Sequence, residues 1–175
     1  MKAIRLSKSC ISKKEKNAVI KVLNNGFLGM GPIVKKFEAK LSKFFSRKVV
    51  CLNSGTAALH VAIQACGIGK NDEVIVPSLT YVASYQAISA TGAKPVPVDI
   101  SLATGNMSLA DSQGKITSKT KAVLWVHYTG DATGFIEAKN LFNSLKIPII
   151  EDSCEIVGGF NNNGYYGTLG DIGVF

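Results

Sequence analysis

Six short apolar runs, most of them separated by segments with helical periodicity, constrain the fold of this 175-residue chain more than any other feature. The runs are VVCL (49–52), EVIVP (73–77), KPVPVDI (94–100), KAVLWVH (121–127), IPIIED (147–152) and DIGVF (171–175). Strands that are apolar along their whole length and alternate with helices are typical of a parallel sheet with helices on both faces. The sequence therefore predicts an α/β fold with a mainly parallel sheet.

Segments with helical periodicity lie between most of these runs and fill the N-terminal part of the chain. Apolar residues recur at the spacing of a helix face in 13–25, in 34–45 (which Pro32 opens), in 56–66, at about 80–91 and in 135–145. Two stretches are predicted differently. Residues 100–109 contain a glycine turn that leads to a short helix at most, and residues 158–167 form a hairpin that turns at Asn-Gly.

A net charge of +8 raises the possibility of a nucleic-acid partner. The lysines are spread along the chain, however, and in 34–45 they alternate with Phe37, Leu41 and Phe44 at helical spacing. This pattern is typical of a solvated helix face over a buried one. No sequence signature of a nucleic-acid-binding module accompanies it. We therefore expect no nucleic-acid partner.

The apolar runs are too short to cross a membrane, which takes roughly 20 residues. The first residues, MKAIRLSKSCISKKEK, also contain too short an apolar segment for a secretory signal. The four cysteines lack the spacing of a zinc site or of a C-x-x-C pair. The sequence therefore predicts a cytoplasmic protein without a membrane or metal partner.

Four loops that follow predicted strands are expected to meet at one edge of the sheet. They are residues 53–56, 77–81, 127–131 and 152–155. Ligands of open α/β sheets bind beyond the carboxyl ends of the strands, where such loops gather. His127 ends a strand at this edge, and a hydrogen-bonded structural histidine is favoured there over a general base.

Ser54-Gly55-Thr56 joins an apolar run to a helical segment. The first N–H groups of a helix have no partner within the helix and carry a partial positive charge, so they bind phosphate readily. Gly55 would let the backbone approach closely, and the Thr56 hydroxyl could add one hydrogen bond. The same residues could simply cap the helix, which the motif alone favours. The Walker ending and the G-x-G-x-x-G fingerprint are missing, so a single phosphate fits better than a dinucleotide.

Asp152 and Tyr81 complete the candidate site at this edge. A carboxylate at the end of an apolar strand is costly to bury without a cationic partner. The protonated ring nitrogen of pyridoxal phosphate would be such a partner, while a helix cap or a loop salt bridge is the alternative. Tyr81 could stack on a flat ring or be an ordinary core aromatic.

Five sequence blocks in a fixed order carry a resemblance to a known family. The blocks SGTAALHVAIQACGIGKNDEVIVPSLTYVAS, GAKPVPVDI, TKAVLWVHYTGD, IIEDSCEIVGG and GTLGDIGVF resemble sugar aminotransferases of the DegT/DnrJ/EryC1/StrS family, from about residue 4 to Phe175. The resemblance implies an incomplete large domain of a fold-type-I pyridoxal-phosphate (PLP) transferase. Residues 1–47 would be an N-terminal helical leader with a substrate-side loop, and residues 48–175 a partial PLP-binding domain.

The resemblance also implies roles for the candidate residues. The backbone of Gly55 and Thr56, the Thr56 hydroxyl and the Ala57 amide would hold the phosphate of PLP. Tyr81 would lie against the pyridine ring, and Asp152 would pair with the ring nitrogen.

Glu155 stands where the family usually has Gln or His, beside the phenolic oxygen of the cofactor. A carboxylate there would repel that oxygen unless one of the two carries a proton. Loop 26–31, GFLGMG, would lie near the sugar.

The implied activity is transfer of an amino group from glutamate to a nucleotide-linked keto-deoxy sugar, by a homodimer, for cell-surface polysaccharide or glycoside biosynthesis. The family's Schiff-base lysine, a last strand and a small C-terminal domain would lie beyond Phe175, so we expect no transamination by this chain alone. Three alternatives stay open: a truncated non-catalytic remnant, a PLP-dependent sugar dehydratase of the same family, and an α/β domain that binds a different phosphate.

Overall fold

The computed structural model describes residues 8–175, and the chain divides into two compact units between Val49 and Val50. The part of the predicted N-terminal region that precedes Lys8 lies outside the described residues, as does the start of the family resemblance near residue 4. No helix among the described residues is both long enough and apolar enough to span a bilayer.

The N-terminal unit contains two helices, α1 (Lys13–Asn24) and α2 (Pro32–Phe45). α1 begins at a capping box, in which the Lys14 N–H donates to Ser12 Oγ at 3.1 Å and the Ser12 N–H donates to Glu15 Oε2 at 2.6 Å. α2 begins with Pro32, whose fixed φ suits the first helical turn. Proline lacks an N–H, but the first N–H groups of a helix have no acceptor within the helix, so no hydrogen bond is lost there. The predicted helices of this region are thus present.

The elements of the second unit in chain order are α3 (Gly55–Ala65), β1 (Glu73–Pro77), α4 (Val82–Ala90), β2 (Lys94–Val98), α5 (Leu109–Gly114), β3 (Thr120–Val126), α6 (Phe135–Ser144), β4 (Ile149–Asp152), β5 (Phe160–Asn161), β6 (Gly164–Tyr165) and β7 (Ile172–Val174). Five of the strands form a parallel sheet in the order β2-β1-β3-β4-β7. The predicted α/β fold with a parallel sheet is confirmed.

Side chains alternate between the two faces of the sheet along each strand, so these apolar strands make both faces apolar. Helices cover both faces. On one face, α3 and α4 pack against a set of residues that includes Val74, Leu124 and Ile150. On the other face, α6 packs against a set that includes Trp125 and Ile149. Along β4, Ile150 and Asp152 therefore belong to the α3 face, while Ile149 and Glu151 belong to the α6 face.

The predicted strand at 49–52 is wrong. These residues have no regular secondary structure, and no strand in the described chain pairs with them. Val50 and Leu52 are 59% and 43% exposed. Valine favours strands because it packs well on a pleated, half-buried surface, and that preference makes a strand only where a neighbouring strand supplies the hydrogen bonds.

The two irregular stretches fold close to expectation. Residues 100–109 form a turn closed by a bridge between Ile100 and Met107, and the short α5 follows. The predicted hairpin is present as β5 and β6, with Asn162 and Asn163 between the strands, so it turns one residue before the Asn-Gly pair. The cause is local, since Asn161 Oδ1 accepts a hydrogen bond from the Asn163 N–H at 2.8 Å and closes an Asx turn.

Candidate active site at the carboxyl edge of the sheet

The N-terminus of α3 presents free amides at the edge of the sheet. Ser54 is the N-cap: its Oγ accepts from the Ala57 N–H at 3.1 Å, and its carbonyl accepts from the Ala58 N–H at 3.0 Å. Among the described residues, the N–H groups of Gly55 and Thr56 have no acceptor, as expected for the first turn of a helix. The capping interpretation is thus correct for Ser54, and it leaves two of the three predicted phosphate-binding amides free.

Asp152 ends β4 on the same side of the sheet as α3. Its side chain is only 9% exposed, and its Oδ1 accepts from the Cys154 N–H at 3.2 Å. No other backbone amide of the described chain donates to its carboxylate. Such a carboxylate retains acceptor capacity for a further donor.

Gly55 brings the start of α3 next to the loop that follows β4. A β-carbon at Gly55 would lie 3.6 Å from the Cys154 Sγ, which is van der Waals distance. The predicted loops 53–56 and 152–155 are therefore neighbours. A glycine at the first helical position keeps this gap open towards the free amides.

The Cys154 thiol beside Gly55 is in an environment that keeps it unreactive. Partial burial, a hydrogen bond to Asp152 and the charges of Asp152 and Glu155 raise the pKa of Cys154 to about 12. The thiol therefore stays protonated at neutral pH. Because the thiolate is the nucleophilic form of cysteine, Cys154 is not equipped for nucleophilic chemistry.

Glu155 joins the loop after β4 to the loop after β3. Its Oε2 accepts from the Thr129 N–H at 2.6 Å. Thr129 lies in a 3-10 turn at 128–130 and has a φ of +53°, which is costly for a residue with a β-carbon. One oxygen of the predicted cofactor ligand Glu155 is thus committed to holding this turn.

Asn106 holds the same loop from the other side, and our sequence analysis missed it. The residue is 2% exposed. Its Nδ2 donates to the carbonyls of Asp131 and Thr133 and to Asp131 Oδ1, each at 3.2 Å, and its Oδ1 accepts from the Tyr128 N–H at 3.2 Å. A single asparagine in a turn-rich stretch gives no signal of such a role, because its partners are 22 to 27 residues away.

Tyr81 lies at the carboxyl end of β1, as the N-cap residue of α4. Its side chain is 78% exposed, so it is not a core aromatic. Nearby, Thr80 Oγ1 and Ser84 Oγ share a hydrogen bond of 2.8 Å that fastens the start of α4. The structure places Tyr81 at the same edge of the sheet as Asp152.

On the α6 face, a second acid was also missed. Glu151 is fully buried, and its Oε1 lies 2.9 Å from Nε2 of the equally buried His127. Its two oxygens also accept from the N–H groups of Gly167, Leu169 and Gly170. The structural interpretation of His127 agrees with this geometry. The sequence gives no signal of this role for Glu151, because its hydrogen-bond partners lie 16 to 24 residues away along the chain.

The loop predicted to lie near the sugar belongs to the N-terminal unit. It lines a cavity of about 420 Å³ together with the ends of α1 and α2. The lining is mostly apolar and consists of Val22, Asn25, Phe27, Leu28, Gly29, Gly31, Pro32, Ile33 and Val34. The proximity of this loop to a sugar stays a prediction.

Comparison with known proteins gives sequence relatives along the whole chain. The GDP-perosamine synthase of Escherichia coli O157:H7 is 39% identical over 177 residues, covering 100% of this chain and 49% of that protein. The chain therefore spans about half the length of the curated relatives it matches. Residues 9–175 match the model of the DegT/DnrJ/EryC1/StrS aminotransferase family.

Solved structures agree with this assignment. An aminotransferase from Streptoalloteichus hindustanus superposes with a TM-score of 0.86 at 33% identity, covering 93% of this chain and 45% of that one. The E. coli GDP-4-keto-6-deoxy-D-mannose-3-dehydratase with bound hydrated PLP gives a TM-score of 0.86 at 30% identity, covering 94% of this chain and 44% of that one. The fold is that of the fold-type-I PLP aminotransferases. From its sequence blocks, its parallel sheet and its match over residues 9–175, the chain belongs to the DegT/DnrJ/EryC1/StrS aminotransferase family.

Proposed function

We propose that this chain forms the cofactor-binding part of a PLP-dependent aminotransferase that acts on a nucleotide-linked keto-deoxy sugar, with glutamate as amino donor. The observation that carries the proposal is the neighbourhood of two free helix amides and a nearly buried carboxylate. Gly55 and Thr56 open α3 beside the loop that follows Asp152. PLP offers a phosphate to the first and a cationic ring nitrogen to the second.

The phosphate end of the cofactor fits the start of α3. The N–H groups of Gly55 and Thr56 point out of the helix end, and the Thr56 hydroxyl adds a third donor. The partial positive charge of the helix end favours a dianionic group there. The Ala57 amide already donates to Ser54 Oγ, so its part would be to keep the helix end in shape.

The ring end of the cofactor fits Asp152. A carboxylate that is 9% exposed and accepts one backbone amide gains from a cationic partner, because burial strengthens the attraction between opposite charges. Bound PLP supplies an electron sink for the carbon that exchanges the amino group. Asp152 would keep the ring nitrogen protonated, which that electron withdrawal needs, and the exposed Tyr81 would cover a ring face.

Glu155 would meet the phenolic oxygen of the cofactor with Oε1, because Oε2 accepts from the Thr129 N–H. Two anionic oxygens repel each other, so one shared proton would have to lie between them. This requirement sets Glu155 apart from the other proposed cofactor ligands. Through its hydrogen bond from the Thr129 N–H, Glu155 also orients the turn at 128–130.

The substrate class comes from the relatives. The E. coli O157:H7 relative is named for GDP-perosamine synthesis, and the structural relative with PLP is a GDP-sugar dehydratase. A PLP-dependent sugar dehydratase therefore remains the second candidate function. Because the chain spans about half of its relatives, we propose that catalysis takes place only in a longer or partnered protein, and that the chain associates with a second copy. The cytoplasmic location stays a prediction.

PLP binding to this chain tests the proposal. Trp125 is the single tryptophan, so quenching of its emission by PLP gives a dissociation constant. The Asp152→Asn variant keeps the shape and removes the charge, and we expect about tenfold weaker binding, or roughly 1.4 kcal/mol. Asp72→Asn is the matched control, because Asp72 also accepts one backbone amide, from Gly69 at 2.9 Å, but precedes β1 at the amino end of the strand.

Inorganic phosphate should compete with PLP for the wild-type chain and lower its apparent affinity. Equal PLP affinity of the wild type and of the Asp152→Asn variant would contradict the assignment of the ring nitrogen. Absence of competition by phosphate would contradict the assignment of the α3 N-terminus. Incubation with glutamate and a nucleotide-linked keto sugar should give no amino transfer in this chain, and turnover would contradict that part of the proposal.

A further inference from the structure

Glu151 lies in the α6 face of the sheet, directly before the proposed cofactor ligand Asp152. Both its side chain and that of His127 have an exposed fraction of 0%. We propose that Glu151 is a positioning residue that docks the segment Gly167–Gly170 onto β4 and thereby fixes β7 and the backbone of Asp152. The part of this inference that concerns the cofactor rests on the proposed function, whereas the docking itself does not.

The carboxylate of Glu151 accepts four hydrogen bonds. Oε1 accepts from the Gly167 N–H at 2.5 Å and lies 2.9 Å from His127 Nε2. Oε2 accepts from the N–H groups of Leu169 at 3.1 Å and Gly170 at 2.8 Å. Hydrogen bonds to an ionised acceptor are about twice as strong as neutral ones, and no water competes at this depth. One side chain thus accepts from three of the four N–H groups of the segment Gly167–Gly170.

His127 fits the ionised form of Glu151. Its Nδ1 is buried and has no hydrogen-bond partner among the described residues. A proton on Nδ1 would therefore be a buried donor without an acceptor, which costs more than a bare lone pair in the same place. The imidazole must accordingly be neutral, with its proton on Nε2, where it is donated to Glu151. The pair contains one negative charge, and the surrounding N–H groups stabilise it.

The segment held by Glu151 approaches β4 at glycine positions. A β-carbon at Gly170 would lie 2.9 Å from the carbonyl oxygen of Ile149 and 3.3 Å from Glu151 Oε2. Gly167 has a φ of +82°, which residues with a β-carbon rarely adopt. The backbone can therefore come close enough to donate its amides because side chains are missing at both ends of the segment.

The docked segment leads directly into β7. The Asp171 N–H donates to the Ile149 carbonyl at 2.9 Å, and the register then pairs Glu151 with Gly173 and Asp152 with Val174. Beyond the strands, the Ser153 N–H donates to the Val174 carbonyl at 2.8 Å. The residues on both sides of Asp152 are thus tied to β7, whose entry is fixed by Glu151. Loosening this entry should move the Asp152 carboxylate relative to the start of α3.

The Glu151→Gln variant of the full chain tests the proposal. A glutamine has one acceptor oxygen, and its amide group would face N–H donors, so two or more of the four hydrogen bonds are lost. We expect the amides of Gly167, Leu169 and Gly170 to exchange with deuterium at least tenfold faster, while the amides of α4 keep their rates. We also expect PLP to bind about fivefold to tenfold more weakly. Glu137→Gln, an exposed change on α6, is the matched control and should alter neither quantity.

Nitrogen NMR of the histidines in the wild-type chain gives a readout that does not depend on how a variant folds. We expect His127 to carry its proton on Nε2. We also expect the His127→Gln variant, whose side-chain amide still offers a donor, to retain most of the exchange protection of Gly167. A proton on Nδ1 would overturn the proposed tautomer, and with it the assignment of an ionised Glu151 that accepts a hydrogen bond from His127. Unchanged exchange at Gly167–Gly170 in Glu151→Gln would overturn the docking role.

The two proposals fail in different ways. If the wild-type chain does not bind PLP, the proposed function fails, while the exchange rates of Glu151→Gln and the NMR of His127 still decide the role of Glu151. If PLP binds and Glu151→Gln exchanges faster without any change in PLP affinity, Glu151 is only structural and the positioning role is overturned. If Glu151→Gln unfolds completely, the Glu151→Asp variant decides, because it keeps the charge on a shorter side chain: faster exchange at Gly167–Gly170 with unchanged α4 rates supports the docking role, and unchanged exchange at Gly167–Gly170 contradicts it.

Discussion

The two faces of the sheet at the end of β4 use neighbouring carboxylates in opposite ways. On the α6 face, Glu151 has an exposed fraction of 0% and accepts three backbone amides and the His127 side chain. On the α3 face, Asp152 is 9% exposed and accepts one backbone amide. A buried acid with all its acceptor sites used stabilises structure. A buried acid with sites to spare is suited to binding a ligand, and adjacent residues on one strand serve both purposes because side chains alternate between faces.

Removing each acid in turn should give the largest difference between the faces. Glu151→Ala leaves three buried N–H groups and one imidazole without an acceptor, and we expect a loss of about 4 kcal/mol in the free energy of unfolding. Asp152→Ala removes one backbone acceptor and should cost about 1 kcal/mol. Urea unfolding followed by Trp125 emission measures both, and equal losses would erase the distinction between the two faces.

Crowding the docked segment should give the next largest effect. Gly170→Ala places a β-carbon 2.9 Å from the Ile149 carbonyl oxygen and 3.2 Å from the Glu151 Cβ. We expect the variant to lose about 2 kcal/mol, because backbone must move apart to admit the methyl group. The control is Gly114→Ala in α5, where no atom lies within 4 Å, and it should be neutral or slightly stabilising. A stable Gly170→Ala chain would show that the segment is not held tightly.

Asn106 extends the comparison to the loop after β3. Asn106→Ala removes the side chain that donates to Asp131 and Thr133 and accepts from Tyr128. We expect a loss of about 1.5 kcal/mol and faster proteolysis at 128–133, because the partners become unsatisfied. Asn140→Ala on the exposed side of α6 is the control, and similar proteolysis of the two variants would mean that Asn106 does not hold this loop.

The smallest expected effect lies on the α3 face. Ser54→Ala removes the cap that accepts from the Ala57 N–H, and we expect a loss of about 1 kcal/mol. PLP binding should weaken as well, because the free amides of Gly55 and Thr56 belong to the same helix turn. Ser89→Ala, an exposed residue on α4, controls for loss of a hydroxyl in a helix. Stronger PLP binding by Ser54→Ala would indicate that the Ala57 amide, once released, is itself a ligand.

Local sequence patterns were sufficient where neighbouring residues decide the structure. The apolar runs at 73–77 and 121–127, the Pro32 helix start and the Ser54 cap all depend on side chains within a few positions of each other. The run at 49–52 shows the limit of this reasoning. Its valines favour a strand, but no partner strand lies beside it in the described chain, and a strand exists only with a partner.

The sequence by itself determined the α/β class, the family and the placement of Gly55, Thr56 and Asp152 at element ends, because these depend on local periodicity and on motif order. Only the tertiary structure decided the strand order and the hydrogen bonds of Asn106, Glu155 and Glu151. Those hydrogen bonds join partners that lie 16 to 27 residues apart along the chain. Distant hydrogen-bond partners leave no periodic signal, so a carboxylate's function is settled by which donors the fold brings to it.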